Sequence, residues 1–379
     1  MSNMSTTGFI FSNLNSNTLS LLTSDRTVAA IPFGCRYRLV DFALSNMVNS
    51  DITDINIIAN YNFRSLVNHI GSGKDWDLAR RSGGIKILSP GQEARQAEAF
   101  VYSYRLEALR SIRDRINELT SDTVVLMDSD HLCNIDLSDV ISFHKSNDAE
   151  ATFVTVQSKI GDMTRDPQTA LQSNAKGRVT DIVKSTSYDP DHPFVSIRIF
   201  VLSTDFLVRA LDEAVARNYH SFTDDIIMHS PERRRFFSYC FNDVVIPVTT
   251  FLDYYRANIL LTSDAAARNA ILGKWERPIY TRVHNSPPTV YLDGCSVKDS
   301  LIADGCVIEG KVENSVLFRG VKVSRGAVVK NSILFGGTYV GTGSSLNCIV
   351  ADKNVVISDD QTLSGAGSTP FYIAKNKRI

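Results

Sequence analysis

Two carboxylates that follow an apolar segment are the side chains of this chain best suited to hold a divalent cation. Residues 124–127 are wholly apolar, and Asp128 and Asp130 lie just beyond them. Side chains two positions apart lie on one side of an extended chain, and ligands bind where parallel strands end. Magnesium ions in such sites take one or two carboxylates together with phosphate oxygens. The alternative interpretation is that Asp128 and Asp130 cap a turn.

Alternating strand-like and helical segments, from about residue 8 to residue 260, predict the scaffold that positions these carboxylates. The predicted strands are residues 8–11, 55–59, 85–88, 124–127 and 151–156, and the predicted helices are residues 41–48, 64–70, 97–119 and 138–146. Strands separated by such helices need crossover connections, which indicates an α/β fold with a mostly parallel sheet covered on both faces. Residues 179–183, 194–202 and 236–241 are predicted to extend this sheet.

A different pattern begins after residues 285–288, which read Asn-Ser-Pro-Pro. Ser-apolar-apolar triplets start at Ser300, Ser315 and Ser332, and Cys348 continues the series. Short strands at near-hexad spacing, with small residues at the corners, are typical of a parallel β-helix, whereas a β-sandwich would not require the repeat. We therefore predict an α/β domain over residues 1–260, a linker or helical connection over 261–285, and a β-helix of hexapeptide-like repeats over 286–379.

The overall composition argues against several classes of partner. The 379 residues carry a net charge of -1, which gives no basic field for nucleic acid or an anionic membrane. No apolar run approaches the roughly 20 residues of a transmembrane helix, and the N-terminus lacks the basic and apolar regions of a secretion signal. The six cysteines are scattered, without a Cys-x-x-Cys pair. We expect a cytoplasmic protein with free thiols and neither nucleic acid nor membrane as a partner.

Two stretches closely resemble glucose-1-phosphate adenylyltransferases, also called ADP-glucose pyrophosphorylases. Residues 31–46 read IPFGCRYRLVDFALSN and residues 62–78 read NFRSLVNHIGSGKDWDL. This family makes ADP-glucose and pyrophosphate from ATP and glucose 1-phosphate, for glycogen and starch. The resemblance implies a Rossmann-like (GT-A-like) nucleotidyltransferase domain with a mixed, mostly parallel sheet, followed by a C-terminal left-handed parallel β-helix.

The nucleotide side of the implied active site departs from the family. The family's first strand leads into a glycine-rich loop that wraps the triphosphate, whereas residues 8–23 read GFIFSNLNSNTLSLLT, with one glycine and no Arg or Lys. Asn and Ser could still form a turn with positive φ at Asn. The following motif keeps Arg26 but has Val28 at the position of a phosphate-binding lysine, which valine cannot replace.

The metal position departs as well. Residues 124–131 (VVLMDSDH) resemble the strand end that carries the first metal aspartate, and Asp130 sits at that position. The family's second metal aspartate aligns with Pro247, whose side chain has no ligand atom. The resemblance thus leaves Arg26 and Asp130 as remnants of a degenerate catalytic site, with no residue assigned to catalysis or to cofactor binding.

The sugar-phosphate side is altered at two motifs. A terminal Glu-Lys pair in the family becomes Lys184 and Ser185, so that Lys184 could substitute only by a shift of one place. In the next motif Ser196 is retained, and Arg198 replaces a glycine where the sugar would lie close to the backbone. A long cation there could fill the pocket, which leaves Lys184 and Ser196 as sugar-phosphate remnants.

The phosphate loop, the motif that follows it, the metal position and the sugar-phosphate motifs are all altered. These four changes at catalytic elements predict a non-catalytic or weakly active member of the family. The chain resembles the GlgD-type regulatory subunit of Gram-positive bacteria, which assembles with a catalytic homologue. The resemblance implies a heterotetramer, with a homo-oligomer of this chain alone as the alternative. It also implies that this chain requires no cofactor, whereas the catalytic partner uses Mg²⁺ and ATP.

Further hypotheses concern an effector and two enzymatic activities. Arg36 and Arg38 match positions near the family's anionic effector site, so they are candidates to bind a phosphosugar or phosphate, with structural ion pairing as the other interpretation. One enzymatic alternative is an independently active glucose-1-phosphate adenylyltransferase with an unusual loop. Another is a bifunctional protein whose β-helix transfers acyl groups, which normally needs a histidine base, and none follows His284.

Overall fold

A computed structural model of the chain describes residues 5–14, 16–89, 104–157, 168–229 and 231–379. The strands of the first part are β1 (Thr6–Phe11), β2 (Pro32–Phe33), β3 (Tyr37–Arg38), β4 (Asp54–Ile58), β5 (Gly84–Leu88), β6 (Thr123–Asp128), β7 (His131–Leu132), β8 (Ala151–Gln157), β9 (Gln168–Ser173), β10 (Val179–Ser185), β11 (Phe194–Ser203), β12 (Phe236–Cys240) and β13 (Ile246–Pro247). The helices are α1 (Ser20–Thr23), α2 (Leu39–Val48), α3 (Arg64–Ile70), α4 (Arg105–Arg110), α5 (Arg113–Asn117), α6 (Leu137–Ser146), α7 (Thr204–Arg217), α8 (Phe251–Ser263) and α9 (Ala265–Leu272).

A mixed sheet of nine strands forms the centre of this part. Its order is β10-β9-β11-β6-β1-β4-β5, with β8 paired to both β11 and β12. The β6-β1-β4-β5 half is parallel, whereas β11 runs antiparallel to β6, β8 and β9. All five early strands predicted from the sequence lie in this sheet, and the three later segments extend it as predicted.

Helices cover both faces of the sheet, because its central strands are apolar on both sides. In β1, Phe9 and Phe11 pack into one core with side chains of α4, α5 and α7. Ile10 points to the other face and packs with side chains of α2, α3 and α6. This alternation is the expected geometry of a strand that is buried on both faces. The α/β architecture predicted from the sequence is therefore confirmed.

The predicted helices at residues 41–48, 64–70 and 138–146 are confirmed, whereas the single helix predicted over residues 97–119 is wrong where the chain is described. Residues 104–119 form two short helices, α4 and α5, and residues 97–103 lie outside the described part. The break falls where Ile112 leaves helical geometry, with φ -120° and ψ 22°. The Ser111 hydroxyl donates to the Ala108 carbonyl at 2.7 Å, and such local bonds compete with helix continuation.

The C-terminal part is a left-handed parallel β-helix with three faces, which confirms the β-helix predicted from the repeat and the hand implied by the resemblance. Equivalent strands of successive coils pair in parallel register, so that each face is a five-stranded sheet. The faces consist of β14 (Val290–Tyr291), β17 (Val307–Ile308), β20 (Lys322–Val323), β23 (Tyr339–Val340) and β26 (Val356–Ile357); of β15 (Ser296–Lys298), β18 (Lys311–Glu313), β21 (Val328–Lys330), β24 (Ser345–Asn347) and β27 (Thr362–Ser364); and of β16 (Leu301–Ile302), β19 (Val316–Leu317), β22 (Ile333–Leu334), β25 (Ile349–Ala351) and β28 (Phe371–Ile373).

A continuous apolar cluster joins the two parts, and we call it the interdomain core. It contains Leu19 and Val28 from the N-terminal segment, Tyr254 from α8, and Phe335 and Val350 from the β-helix. The rings of Tyr254 and Phe335 meet edge to face, with centroids 6.3 Å apart. The domain boundaries predicted at residues 260 and 285 stay a prediction. Helix α8 runs across the first of these boundaries, and α9 lies within the predicted connection.

Two further expectations concern the membrane and the thiols. Within the described residues, no helix is long and apolar enough to cross a membrane. All six cysteines are free thiols, and Cys35, Cys133, Cys306 and Cys348 are buried. Burial raises the pKa of Cys35 and of Cys133 to about 12, so neither is a nucleophile at neutral pH.

Candidate functional site

A polar cleft of about 220 Å³ lies where β6 ends and is bordered by β9, β10 and β11. It contains the carboxylate candidate Asp128 and both predicted sugar-phosphate remnants, Lys184 and Ser196. Arg105 and Arg198 line the same cleft. The structure thus brings together residues that are far apart in the sequence, at the edge of the sheet where a ligand site is expected.

Asp130 is held by two neighbours at the end of β6. Its Oδ1 lies 2.8 Å from Nδ1 of His131, and its Oδ2 accepts a hydrogen bond from Nη1 of Arg198 at 2.9 Å. The carboxylate is almost wholly buried. The predicted metal aspartate therefore forms a buried ion pair with the arginine that replaces the family's glycine.

The backbone of β11 directs Arg198 toward this carboxylate. The pairing of β11 with β8 shifts register between Ser196 and Phe200, and Arg198 within this bulge has φ +62°. A β-bulge re-aims side chains, and a left-handed backbone suits glycine far better than residues with a Cβ. Arg198 thus adopts a conformation typical of glycine although it carries a long side chain.

Asp128 has its own arginine partner, which the sequence pattern did not indicate. Nη2 of Arg105 donates to Oδ2 of Asp128 at 2.7 Å, and the guanidinium lies 4.7 Å from the ring centroid of Phe200. Burial raises the pKa of Asp128 against the opposing attraction of Arg105. The only signal that could have identified Arg105 is spatial, because it precedes Asp128 by 23 residues in a different element.

Position 247 lies beside Asp130, as the resemblance requires. Pro247 in β13 is the register partner of His131 in β7, and the Val248 N–H donates to the Asp130 carbonyl at 2.7 Å. A carboxylate at this position would therefore stand next to Asp130. Proline supplies none, so that Pro247 provides packing and no ligand.

The side chains of this cleft do not fit a divalent cation. Both carboxylate oxygens of Asp130 are engaged, and Asp128 is paired with Arg105. Oδ1 of Asp128 has no hydrogen-bond partner among the described residues, but the carboxylate is already neutralised by Arg105, so a cation there would meet a guanidinium at close range. The searched part of the chain contains no group of three or more His, Cys, Asp or Glu side chains suited to a metal.

The segment after β1 makes bonds to the protein where the family has a phosphate-binding loop. The Asn13 side chain donates to the Tyr61 carbonyl at 3.3 Å and accepts from the Asn60 N–H at 3.1 Å. Leu14 lines the cleft with an apolar side chain. Neither Asn13 nor Asn17 has the positive φ of the suggested asparagine turn, and Asn15 lies outside the described residues.

Val28 and Arg26, the next two positions of the nucleotide motif, are directed away from the cleft. Val28 is part of the interdomain core. Nη2 of Arg26 lies 2.8 Å and 2.9 Å from the two carboxylate oxygens of Asp352 in the β-helix, and the Tyr372 hydroxyl donates to the same carboxylate at 2.8 Å. The predicted catalytic remnant Arg26 thus takes part in a buried contact between the two parts of the chain.

The sugar-phosphate remnants do lie in the cleft. Nζ of Lys184 donates to Oδ2 of Asp224 at 2.7 Å, and the Ser196 hydroxyl accepts from the Arg198 N–H at 3.3 Å. Lys184 is therefore already neutralised by a carboxylate, although it lines the cleft.

A second crevice, of about 170 Å³, contains both effector candidates and lies between the N-terminal part and the β-helix. Arg36 and Arg38 line it together with Arg319 and Lys353. Nη1 of Arg38 donates to the Ser65 carbonyl at 2.7 Å, and Nε of Arg319 lies 3.0 Å from Oδ1 of Asp304. Burial, with Arg38 and Arg26 nearby, lowers the pKa of Lys353 to about 8.

Comparison with known proteins places these features in a family. Residues 17–165 match the nucleotidyl transferase family, and residues 291–366 match the family described as GlmU-like, C-terminal hexapeptide. The glucose-1-phosphate adenylyltransferase of Thermosipho africanus is 31% identical over 314 residues, which cover 82% of this chain and 74% of that protein. The protein of the same name from Bacillus licheniformis is 31% identical over 82% of this chain and 81% of its own length. The chain therefore belongs to the glucose-1-phosphate adenylyltransferase family.

Proposed function

We propose that this chain is a non-catalytic regulatory subunit of ADP-glucose pyrophosphorylase, of the GlgD type. The observation that carries the proposal is the pair formed by Asp130 and Arg198, which engages the carboxylate that would hold the metal ion. Pro247 and Val28 support it, because neither can supply the carboxylate and the cation that nucleotidyl transfer needs. The fold around these positions is intact, which is what a regulatory subunit retains.

The proposed role is exerted on a catalytic homologue. In this proposal the two chains form a heterotetramer in the cytoplasm, and the partner binds Mg²⁺, ATP and glucose 1-phosphate to make ADP-glucose for glycogen. Regulation is then a coupling free energy, by which this chain changes the partner's affinity for substrates or effectors.

The decisive experiment compares the catalytic homologue with and without this chain. Both chains are co-expressed, purified through a tag on this chain alone, and assayed for ADP-glucose formation. The same concentration of the homologue purified alone is the control. We expect the two chains to co-purify and the rate or the apparent substrate affinity to change several-fold. Co-purification without any change in rate or affinity would refute a regulatory role.

The interdomain crevice is the proposed effector site. Arg36, Arg38 and Lys353 bring three cationic groups to the crevice. Arg319 also lines it and is paired with Asp304, whereas the described contacts give the other three no carboxylate at ion-pair distance. A phosphate group would supply the missing negative charge through charge-assisted hydrogen bonds. Isothermal titration of the full chain with glucose 1-phosphate and with inorganic phosphate tests this. Arg36→Ala should weaken binding, whereas Arg325→Ala, on an exposed part of the β-helix, should not.

The second candidate is an independently active adenylyltransferase, and the identity to relatives of that name favours it. The chain alone is mixed with ATP, glucose 1-phosphate and Mg²⁺, and pyrophosphate release is followed. Turnover within the ordinary enzymatic range of roughly 1 to 10³ per second would decide for this candidate and against a non-catalytic subunit. We expect release at the rate of the protein-free control.

A further inference from the structure

We propose that Arg198 is a built-in counter-ion that takes the place of the divalent cation beside Asp130 and closes the cleft to metal ions. The inference concerns the chemistry of this cleft alone. It therefore holds whether or not the chain acts through a catalytic partner.

The first argument is the geometry of the pair. Nη1 of Arg198 lies 2.9 Å from Oδ2 of Asp130, and both side chains are largely withdrawn from solvent. His131 engages the other carboxylate oxygen. An incoming cation would have to displace a charge-assisted hydrogen bond and leave the guanidinium buried beside a like charge, which is strongly unfavourable.

The second argument is the backbone at the same residue. Arg198 has φ +62°, a region that residues with a Cβ avoid and glycine enters freely. An arginine remains in such a conformation when its surroundings stabilise it, and both the ion pair with Asp130 and the hydrogen bond from the Arg198 N–H to the Ser196 hydroxyl hold the residue here. Arg198 thus combines a backbone conformation typical of glycine with a positive charge at the site.

The third argument is the charge balance of the whole cleft. Arg105 is paired with Asp128, Arg198 with Asp130, and Lys184 with Asp224. Each acidic side chain that could attract a cation therefore has an internal cation at hydrogen-bond distance. Pro247 supplies no second carboxylate, so the guanidinium of Arg198 is enough to balance the negative charge of Asp130.

Manganese titrations of the full chain test the proposal. Free Mn²⁺ is measured by electron paramagnetic resonance for the wild type, Arg198→Gly, and Arg198→Gly/Pro247→Asp. We expect the wild type to show no saturable binding below roughly 10 mM Mn²⁺. Arg198→Gly should bind Mn²⁺ at least about ten-fold more tightly, because it exposes the Asp130 carboxylate. The double variant should gain about a further ten-fold in affinity, because it adds a second carboxylate. Circular dichroism confirms folding, and glycine suits the left-handed backbone at residue 198.

Matched variants separate this explanation from others. Arg115→Ala removes an arginine from Asp54 elsewhere in the same domain and should leave Mn²⁺ binding unchanged. Arg198→Lys keeps the positive charge and should behave as the wild type. If Arg198→Gly does not fold, Arg198→Asn replaces it, because asparagine also tolerates positive φ.

Three results would overturn the proposal. The first is an Mn²⁺ affinity of the wild type equal to that of Arg198→Gly. The second is an Mn²⁺ affinity of the double variant no higher than that of Arg115→Ala. The third is a gain in Mn²⁺ affinity in Arg198→Lys equal to the gain in Arg198→Gly. None of these measurements involves a partner chain or turnover. A failure here is therefore distinct from a failure of the proposed regulatory role.

Discussion

Substitution of Asp352 by alanine should destabilise the chain strongly, because it leaves the buried Arg26 guanidinium with only the exposed Asp25, whose Oδ1 lies 3.5 Å from Nη2. Arg26 is 3% exposed and Asp352 is 1% exposed, and Nη2 of Arg26 lies within 2.9 Å of both carboxylate oxygens. The Tyr372 hydroxyl donates to the same carboxylate and would lose its acceptor. The prediction tests whether Arg26 stabilises the contact between the α/β part and the β-helix.

The magnitude follows from the burial of both partners. Removing one member of a buried ion pair costs about 3–5 kcal/mol, which is a large part of the roughly 5–15 kcal/mol that stabilises a typical domain. Arg26→Met should cost less, about 2–4 kcal/mol, because Tyr372 and the Lys353 N–H still donate to Asp352. The double variant Arg26→Met/Asp352→Leu should recover to within about 2 kcal/mol of the wild type, since no charge is left unpaired.

Urea unfolding followed by circular dichroism and tryptophan fluorescence measures these differences, and the double-mutant cycle isolates the coupling between the two residues. Glu309→Ala is the matched control, because it removes a carboxylate from an exposed pair with Arg325 in the same β-helix. Such a pair contributes about 0–1 kcal/mol. Equal losses in Asp352→Ala and Glu309→Ala, or a double variant as unstable as Asp352→Ala, would refute the reasoning.

Two further predictions concern the effector crevice and the β-helix. Because Lys353 has a pKa of about 8 and is cationic below it, the affinity for glucose 1-phosphate, a monoester that is already mainly a dianion at pH 7, should fall several-fold between about pH 7 and about pH 9, and titration calorimetry of Lys353→Ala should show a flatter profile. An affinity that is constant over this range in the wild type would contradict a role for Lys353. A Cβ at Gly310 would overlap the carbonyl oxygens of Ala327 and Ser324, so Gly310→Ala should lower the free energy of unfolding by about 1–3 kcal/mol in urea. Gly367→Ala, with open space around its Cβ, should change it by less than about 0.5 kcal/mol, and equal effects would contradict the overlap.

The sequence predicted the fold where local patterns are strong. The parallel strands are mainly apolar segments, and the β-helix repeats its triplets, so both were evident from the sequence pattern. Helix α7 was not predicted, although Phe206, Ala210 and Ala214 are buried at helical spacing. Strand β9 reads QTALQS, which has little β-branched character, and its pairing with β10 and β11 determines its structure.

The candidate site could be predicted in part. The sequence indicated that a long cation at position 198 could fill a pocket, and the structure places Arg198 in the cleft. The identity of its partner depends on how β6 and β11 pair, which brings Asp130 within reach across 68 positions of sequence. The new partner of Arg26 could not be predicted either, because Asp352 comes from the far end of the chain.

The interdomain core determines the order in which this chain can finish folding during synthesis. Leu19 and Val28 belong to the same apolar cluster as Phe335 and Val350, which leave the ribosome near the end of translation. The roughly 300 residues between Val28 and Phe335 take roughly 15 to 60 s to synthesise, so the interdomain core can be completed only after that time. Until the last coils are made, this apolar segment lacks part of its native packing, so we expect a chain that ends before Phe335 to be less stable than the full chain.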